Sequence, residues 1–222
     1  MPGMENALVI GASGGIGAAL SSELETRGYE VTRLSRGLDG FDVTRPETVD
    51  QALGGLGPFR VIFVATGKLD GAGQGPEKSL RALNQDAMVD QFRVNAAGPA
   101  LVLRHLPKLL PRGGDSFCGV LSARVGSIGD NGLGGWYSYR AAKAALNQFV
   151  HGAAIELART HPGARLICLH PGTVETDFTA GYGAPDKLSP AKSAAALCDV
   201  LMSRGADQTG SFWDWKGQEV PW

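Results

Sequence analysis

Short runs of apolar and β-branched residues alternate along the chain with longer segments of helical character. The runs are NALVIG, YEVTRLS, RVIFVAT, SFCGVLS and ARLICLH. A continuous apolar run bounded by turns is typical of a strand that is covered on both faces. Helices are predicted at residues 14–27, 46–53, 86–110, 137–160 and 190–203. The alternation predicts one doubly wound α/β domain over residues 1–222, whose parallel sheet has about seven strands and carries helices on both faces.

Composition and charge limit the partners that such a domain can have. The chain has 222 residues, of which 43% are hydrophobic and 19% are charged, and its formal net charge is −1. Nucleic acids and anionic membranes require a concentrated basic surface, which the sequence lacks. No stretch approaches the roughly 20 apolar residues of a membrane span, and the N-terminus has no basic segment followed by an apolar run. We therefore expect a cytoplasmic protein that binds a small molecule, with no nucleic-acid or membrane partner.

The three cysteines and four histidines show no metal-type spacing. Cys118, Cys168 and Cys198 are far apart and each lies in an apolar segment, so we expect buried free thiols. No two histidines are spaced to bring their imidazoles to one metal. The sequence therefore predicts no metal site, and His170 is interpreted as a packing residue at the end of a strand.

The segment GASGGIG directly follows the first predicted strand. In a doubly wound sheet the ligand crevice lies beyond the carboxyl ends of the strands, so a loop at this place can contact the ligand. The segment has glycine at Gly11, Gly15 and Gly17, which allows a sharp turn and a close approach of the backbone to a diphosphate. The free N–H groups and the dipole at the start of the helix favour the negative charge of that diphosphate. The segment therefore indicates a dinucleotide ligand, with a simple tight connection as the alternative.

Tyr137 and Tyr139 both precede Lys143 in the segment WYSYRAAKAAL. Residues four apart share a helix face, so Tyr139 lies one turn from Lys143, whereas Tyr137 lies on another face. A phenol with a pKa near 10 is a poor acid at neutral pH, but a nearby ammonium favours the phenolate and lowers that pKa. We predict that Tyr139 is a general acid/base and that Lys143 lowers its pKa.

The G-x-x-x-G-x-G spacing, followed on a later helix by Y-x-x-x-K, resembles the short-chain dehydrogenase/reductase family over nearly the whole chain. The segments ARVGSIGDNGLGGWYSYRAAKAALNQ, LHPGTVETDF and GSFWDWKGQEVPW resemble its bacterial C-factor-type subgroup, which is related to sniffer-like carbonyl reductases. The resemblance implies a Rossmann domain, hydride transfer between a nicotinamide cofactor and a carbonyl or alcohol, and catalytic roles for Asn95, Tyr139 and Lys143. The cofactor contacts that it implies are Gly11, Ser13, Gly14, Gly15, Ile16, Gly17, Ser35, Arg36, Asp42, Val43, Ala65, Thr66, Gly67, Asn95, Tyr139, Lys143, Pro171, Gly172, Val174 and Thr176.

The choice between NADPH and NADH depends on the end of the second predicted strand. Ser35 and Arg36 stand about twenty residues beyond the last glycine, where an acidic residue would bind the ribose 2′-hydroxyl. A hydroxyl and a cation suit a 2′-phosphate, so NADPH is predicted in preference to NADH; a solvated surface arginine is the alternative. Asp42 and Val43 match the family's Asp-Val pair, which implies a contact from Asp42 to the adenine.

Two motifs of the family are altered in this chain. The segment VATG lacks both asparagines of the family's Asn-Asn-Ala-Gly turn, although Gly67 keeps the close backbone approach. The family's substrate-orienting serine is replaced by Ala123, which leaves Ser122 or Ser127 as a substitute. Strand alternation points Ser122 to the other face unless the strand end twists. Asn95 matches the family's catalytic asparagine, and the resemblance implies that it holds a water linked to the active lysine.

The segment HPGTVETD matches the family's Pro-Gly segment, which implies that Val174 and Thr176 contact the nicotinamide carboxamide. Residues 177–188 are expected to form a mobile lid over the substrate. The aromatic side chains of Phe178 and Tyr182 favour an apolar or aromatic substrate.

Phe212, Trp213 and Trp215 make the C-terminal segment apolar, so its exposure would be unfavourable. We expect this segment to help form a homodimer or homotetramer interface, with burial in the chain's own core as the alternative.

Two functions from different classes fit these motifs. The first is an NADPH-dependent carbonyl reductase or alcohol dehydrogenase, which the pair of Tyr139 and Lys143 favours together with Asn95. The second is a cofactor-binding signalling or regulatory protein with little or no turnover, which Ala123 and the missing asparagines favour. A methyltransferase fits less well, because its glycine loop requires no Tyr–Lys pair downstream.

Overall fold

The computed structural model describes residues 5–181, 183 and 186–222. The strands in this part of the chain are β1 Asn6–Ile10, β2 Glu30–Leu34, β3 Val61–Val64, β4 Ser116–Leu121, β5 Ala164–His170 and β6 Phe212–Asp214. They form one sheet in the order β2-β1-β3-β4-β5-β6, and all neighbours pair in parallel. The predicted doubly wound parallel sheet is confirmed. The strand order reverses between β1 and β3, where such sheets open a ligand crevice at their carboxyl ends.

Within the described residues the sheet has six strands, not about seven. The difference lies between β2 and the next long helix. There the chain forms a short helix, α2 Arg36–Asp39, and then a turn that Thr48 closes by bonding the N–H of Asp42 at 3.1 Å and its carbonyl at 2.7 Å. The helix and the turn leave no extended run long enough to add an edge strand beside β2.

Helices cover both faces of the sheet. The remaining helices are α1 Gly15–Thr26, α3 Pro46–Leu53, α4 Gln85–Phe92, α5 Gly98–Leu103, α6 Leu106–Leu109, α7 Tyr137–Leu157 and α8 Pro190–Met202. The single helix predicted at residues 86–110 is therefore divided. A π-helical turn, Arg93–Ala97, joins α4 to α5, and Pro107 lies where α6 begins, because proline lacks the N–H that a continuous helix requires.

Strand side chains alternate between two hydrophobic clusters, one on each face of the sheet. Ile62 packs in the cluster that contains Leu146 of α7. Phe63, the next residue of β3, packs in the cluster that contains Leu24 of α1 and Leu197 of α8. Because both faces are covered, every residue of β3 and β4 is buried, which explains their continuous apolar sequences. This packing fixes the strand ends that carry the loops of the site.

Cys118, Cys168 and Cys198 are buried free thiols, as predicted. Burial raises the pKa of Cys118 to about 12 and that of Cys198 to about 12. A thiol that stays protonated at physiological pH is a poor nucleophile and metal ligand. The described residues contain no group of three or more His, Cys, Asp or Glu side chains that could hold a metal. None of their helices has the length and apolar character needed to cross a membrane.

The C-terminal segment packs against its own chain. Phe212 and Trp213 of β6 are buried, and the ring of Trp222 stacks on that of Phe212 with the centroids 6.0 Å apart. Trp215 is half-buried, and the ammonium of Lys216 lies 5.2 Å from its ring centroid. Burial within the chain therefore accounts for much of this apolar surface. The expected homodimer or homotetramer stays a prediction.

Candidate active site

The turn between β1 and α1 requires glycine at two positions. Gly11 has a φ of +89°, and a Cβ on it would lie 2.7 Å from the carbonyl oxygen of Ala65. A Cβ on Gly17 would lie 2.8 Å from the carbonyl carbon of Gly11 and still closer to the oxygen. No side chain caps the start of α1 at Gly14, so its first N–H groups are available to an anion.

Two adjoining cavities lie beyond the carboxyl ends of the strands; we call them the outer cavity, of about 340 Å³, and the inner cavity, of about 420 Å³. They form one continuous cleft, because they share Ser13, Gly14, Ala65, Thr66 and Gly67. The other predicted residues that line the outer cavity are Gly11, Ser35, Arg36, Asp42 and Val43. Those that line the inner cavity are Gly15, Ile16, Gly17, Tyr139, Lys143, Pro171, Gly172, Val174 and Thr176.

The outer cavity offers polar groups that suit a nucleotide. Ser35 and Thr66 each have a buried hydroxyl without a hydrogen-bond partner, which is unfavourable unless a ligand binds it. Arg36 is exposed beside Ser35. Asp42 accepts hydrogen bonds from the N–H and the hydroxyl of Thr44, both at 2.8 Å. Burial alone would raise the pKa of Asp42, but the bonds from Thr44 and the charge of Arg36 hold it below its ordinary value.

Sequence reasoning missed further charged groups of the outer cavity. Lys68 forms an ion pair with Asp90, and Arg93 donates to the carbonyl of Thr44 at 3.2 Å. The three-residue spacing of Asp90 and Arg93 places both on one helix face, and Lys68 directly follows Gly67. These sequence features indicate a part of the binding site only after the structure has shown that α4 passes beside the cleft.

Asn95 lies in the π-helical turn and is fully buried, beneath the cleft rather than along its wall. Its Oδ1 accepts from the N–H of Lys68 at 3.0 Å, and its Nδ2 donates to the carbonyl of Lys68 at 2.8 Å and to Gln91. A Cβ on Gly67 would lie 2.9 Å from that Oδ1. Asn95 therefore holds the turn at Gly67 in place. The water that the resemblance implies stays a prediction.

Tyr139 and Lys143 line the inner cavity, whereas Tyr137 lines a separate apolar groove between α4 and α7. Tyr139 is 5% exposed and Lys143 is 3% exposed. The Nζ atom of Lys143 lies 5.9 Å from the ring centroid of Tyr139 and donates to the carbonyl of Leu121 at 3.0 Å. The ring of Phe178 lies 6.3 Å from that of Tyr139. The helix-face argument thus separated the two tyrosines as the structure does.

The Tyr139 phenol does not have the lowered pKa that the sequence analysis predicted. Burial raises the pKa of the Tyr139 phenol above its ordinary value, because the phenolate would lose its solvation. Burial also lowers the pKa of Lys143 to about 8, and its ammonium donates to Leu121 instead of the phenol. Tyr139 therefore holds its proton at neutral pH, which suits a proton donor better than a base.

None of the three positions considered for a substrate-orienting hydroxyl presents one. Ala123 lines the inner cavity with a methyl group. Ser122 also lines it, but its hydroxyl donates to Oδ1 of Asn147 in α7 at 2.6 Å. Ser127 is buried away from the two cavities, where its hydroxyl accepts from the N–H of Asp130 at 3.0 Å. Strand alternation therefore predicted the orientation of Ser122.

The segment after β5 forms one wall of the inner cavity. A Cβ on Gly15 would lie 2.5 Å from Cγ2 of Thr176, so this segment rests against the glycine turn. Within residues 177–188 the chain forms a 3₁₀ turn, Asp177–Thr179. Tyr182, which was expected to belong to the lid, lies outside the described residues. The movement of the lid stays a prediction.

Glu77, which the sequence analysis did not identify, caps the helix that carries Tyr139. Its buried carboxylate accepts hydrogen bonds from the N–H of Ser138 at 3.2 Å and from the Ser138 hydroxyl, at the start of α7. A negative charge at a helix N-terminus is stabilising. Glu77 and Ser138 are 61 positions apart, so no local pattern could reveal the cap.

We expect Glu77→Gln to lower the free energy of unfolding by about 1 to 2 kcal/mol. The Glu77 carboxylate accepts through both of its oxygens and is negatively charged, whereas the amide of glutamine accepts through one oxygen and carries no charge. Urea denaturation measures this change. Glu156→Gln is the control, because Glu156 is exposed near the other end of α7, and we expect a change within about 0.5 kcal/mol. Equal stability of Glu77→Gln and the wild type would show that the cap does not stabilise α7.

The amino-acid sequence matches known proteins. The family model described as short chain dehydrogenase matches residues 40–187. The 1-hydroxy-2-glutathionyl-2-methyl-3-butene dehydrogenase of Rhodococcus sp. (strain AD45) is 31% identical over 232 residues, which cover 99% of this chain and 100% of the relative. The C-signal protein of Myxococcus xanthus is 35% identical over 136 residues, which cover 61% of this chain and 78% of the relative.

The fold matches solved structures. A short-chain dehydrogenase/reductase from Burkholderia multivorans with bound NADP has a TM-score of 0.83 at 29% identity, covering 99% of this chain and 100% of the other. The carbonyl reductase Sniffer of D. melanogaster has a TM-score of 0.80 at 20% identity, with the same coverage, and so shares the fold. The resemblance to C-factor-type and sniffer-like relatives is confirmed.

Proposed function

The chain belongs to the short-chain dehydrogenase/reductase family, and we propose that it is an NADPH-dependent carbonyl reductase or alcohol dehydrogenase. The observation that carries this proposal is the continuous cleft between the glycine turn and the buried pair of Tyr139 and Lys143. One end of the cleft fits a dinucleotide diphosphate. The other end holds a proton donor beside a cation, an arrangement that a protein without turnover does not require.

The cleft fits a dinucleotide that carries a 2′-phosphate. The diphosphate would bind the uncapped N–H groups at the start of α1. The unpaired hydroxyl of Ser35 and the guanidinium of Arg36 would hold the 2′-phosphate, and Asp42 would contact the adenine. The NADP bound to the Burkholderia multivorans relative supports the same ligand here. Val174 and Thr176 would contact the nicotinamide carboxamide, and the bound cofactor supplies the hydride.

We expect Arg36→Ala to weaken NADPH binding by about 10- to 100-fold and to leave NADH binding unchanged, because only NADPH has a 2′-phosphate for the guanidinium. Titrations followed by nicotinamide fluorescence measure both affinities. Arg33→Ala is the control, since Arg33 pairs with Glu25 instead of lining the outer cavity. An equal loss of affinity for NADPH and NADH would assign Arg36 a different role.

Tyr139 donates its phenolic proton to the substrate oxygen while the carbonyl carbon receives the hydride. The raised pKa of Tyr139 keeps that proton in place at neutral pH, so the phenol is in the protonated form that carbonyl reduction requires. The phenolate that remains is stabilised by the ammonium of Lys143, whose attraction is strong in a buried site. Phe178 lies beside the Tyr139 ring and favours an apolar or aromatic substrate, with residues 177–188 acting as the lid.

We expect the reductase activity to fall as the pH rises through about 8. Burial lowers the pKa of Lys143 to about 8, so the stabilising ammonium is present below that pH and lost above it. The measurement is kcat at saturating NADPH between about pH 6 and pH 10. Lys143→Met is expected to be poorly active throughout, without a step near pH 8. A wild-type profile that stays flat across this range would show that the charge of Lys143 is not used.

The proposed function is tested by titrating the protein with NADPH and with NADH, and then adding aldehydes and ketones while the absorbance of the reduced cofactor is recorded. We expect tight NADPH binding and oxidation of the cofactor by at least some of the carbonyl compounds. Tight binding without turnover across a broad panel would favour the regulatory alternative. Binding of neither cofactor would contradict the assignment.

A further inference from the structure

The inner cavity lacks a hydroxyl to orient the substrate oxygen. Ala123 has no polar side-chain atom, and the hydroxyl of Ser122 is already donated to Asn147. A carbonyl oxygen beside Tyr139 would therefore receive one hydrogen bond, from the phenol. Negative charge develops on that oxygen during reduction, and a second donor aimed at it would stabilise the transition state.

His170 is a polar side chain at the same edge of the cavity. It is the last residue of β5, which pairs with β4, and the N–H of Ser122 bonds the carbonyl of the preceding Leu169 at 2.8 Å. His170 lines the inner cavity together with Ala123 and Tyr139. His170 thus borders the same cavity as the methyl group of Ala123, and it also borders a second cavity, which Arg124 and Asp214 line.

The Nδ1 atom of His170 is buried and has no hydrogen-bond partner. The carboxylate opposite it in β6, Asp214, accepts from the N–H groups of Lys216 at 2.9 Å and Gln218 at 3.0 Å, and it lies 3.7 Å from Arg124. Burial lowers the pKa of His170 to about 4, so its imidazole is neutral at physiological pH and carries one N–H. A neutral ring with an unpaired nitrogen can donate to a ligand without burying a charge.

We propose that His170 supplies, through Nδ1–H, the hydrogen bond to the substrate oxygen for which Ala123 has no hydroxyl. The inference rests on the proposed reductase function and adds a second donor beside Tyr139. No proton is transferred from the imidazole, which keeps its N–H, and Tyr139 is the acid. The bond strengthens as charge grows on the oxygen, so its loss lowers kcat and leaves NADPH binding unchanged.

Asparagine and glutamine variants distinguish the two ring nitrogens, because the Asn amide lies near the position of Nδ1 and the Gln amide near that of Nε2. With NADPH and 4-nitrobenzaldehyde, we expect His170→Gln to lower kcat by about 100-fold and His170→Asn by about tenfold or less. The double variant His170→Gln/Ala123→Ser regains activity, since it returns a hydroxyl to the cavity wall. The affinity for NADPH is the same in all of them.

His161→Gln is the control for the loss of a buried imidazole. Its Nε2 also lacks a partner, but His161 precedes β5 and so lies at the other end of that strand from His170. We expect His161→Gln to keep the wild-type kcat. A wild-type kcat in His170→Gln, or equal losses in His170→Gln and His170→Asn without recovery by Ala123→Ser, overturns the role of His170 and leaves the reductase function intact. A wild type that binds NADPH and reduces no carbonyl compound overturns both.

Discussion

Tyr139→Phe is expected to lower kcat for carbonyl reduction by about 10³-fold, because it removes the proposed proton donor and little else. The Tyr139 ring packs against Trp136 and Phe178, with both ring centroids 6.3 Å away. Phenylalanine keeps these contacts, so we expect the fold and the NADPH affinity to be retained. Steady-state kinetics measures the first effect, and a fluorescence titration with NADPH measures the second.

Tyr137→Phe is the control for this prediction. Tyr137 lies two positions earlier in α7, but it lines the apolar groove between α4 and α7 instead of the cleft. We expect this variant to be fully active. If Tyr139→Phe kept more than about a tenth of the wild-type kcat, or if Tyr137→Phe caused the larger loss, the assignment of the acid would be wrong.

The second large effect is expected from Gly17→Ala. The new Cβ would lie 2.8 Å from the carbonyl carbon of Gly11, and atoms this close force the turn or α1 to move. Overpacking of this kind lowers the free energy of unfolding by about 1 to 3 kcal/mol. A displaced turn no longer presents its N–H groups to the diphosphate, so we expect NADPH binding to weaken by about 100-fold.

Gly152→Ala is the matching control. Gly152 lies inside α7, and no packed neighbour lies within 4 Å of a Cβ added there. Alanine is favoured over glycine in a helix by about 1 kcal/mol, so we expect wild-type NADPH affinity and equal or higher stability in urea denaturation. Wild-type NADPH affinity in a folded Gly17→Ala protein would contradict the role of the glycine turn.

Patterns between neighbours in the sequence predicted much of the site. Helix periodicity placed Tyr139 with Lys143 and Tyr137 on another face, as the structure has them. Strand alternation predicted that Ser122 turns away, and its hydroxyl bonds Asn147 in α7. The continuous apolar runs predicted buried strands, because a strand that is covered on both faces has apolar side chains at successive positions.

Properties that depend on tertiary packing were not predictable in this way. The pKa of Tyr139 is raised because the phenol is buried, and burial depends on side chains far away in sequence. Glu77 caps α7 from a distant loop. His170 was interpreted as a packing residue, because the sequence does not show that its Nδ1 atom is buried without a hydrogen-bond partner. The strand count differs because the residues after β2 form a helix and a turn.

The most direct test of the central claim follows the transferred hydrogen. The wild type, Tyr137→Phe and Tyr139→Phe are each incubated with NADPH that carries two deuterium atoms at nicotinamide C4 and with a panel of aldehydes and ketones, and the products are analysed by mass spectrometry. We predict an alcohol with deuterium on the former carbonyl carbon from the wild type and Tyr137→Phe, and almost none from Tyr139→Phe. Deuterated alcohol from Tyr139→Phe at the wild-type rate, or none from a wild type that binds NADPH, would contradict the proposed reaction.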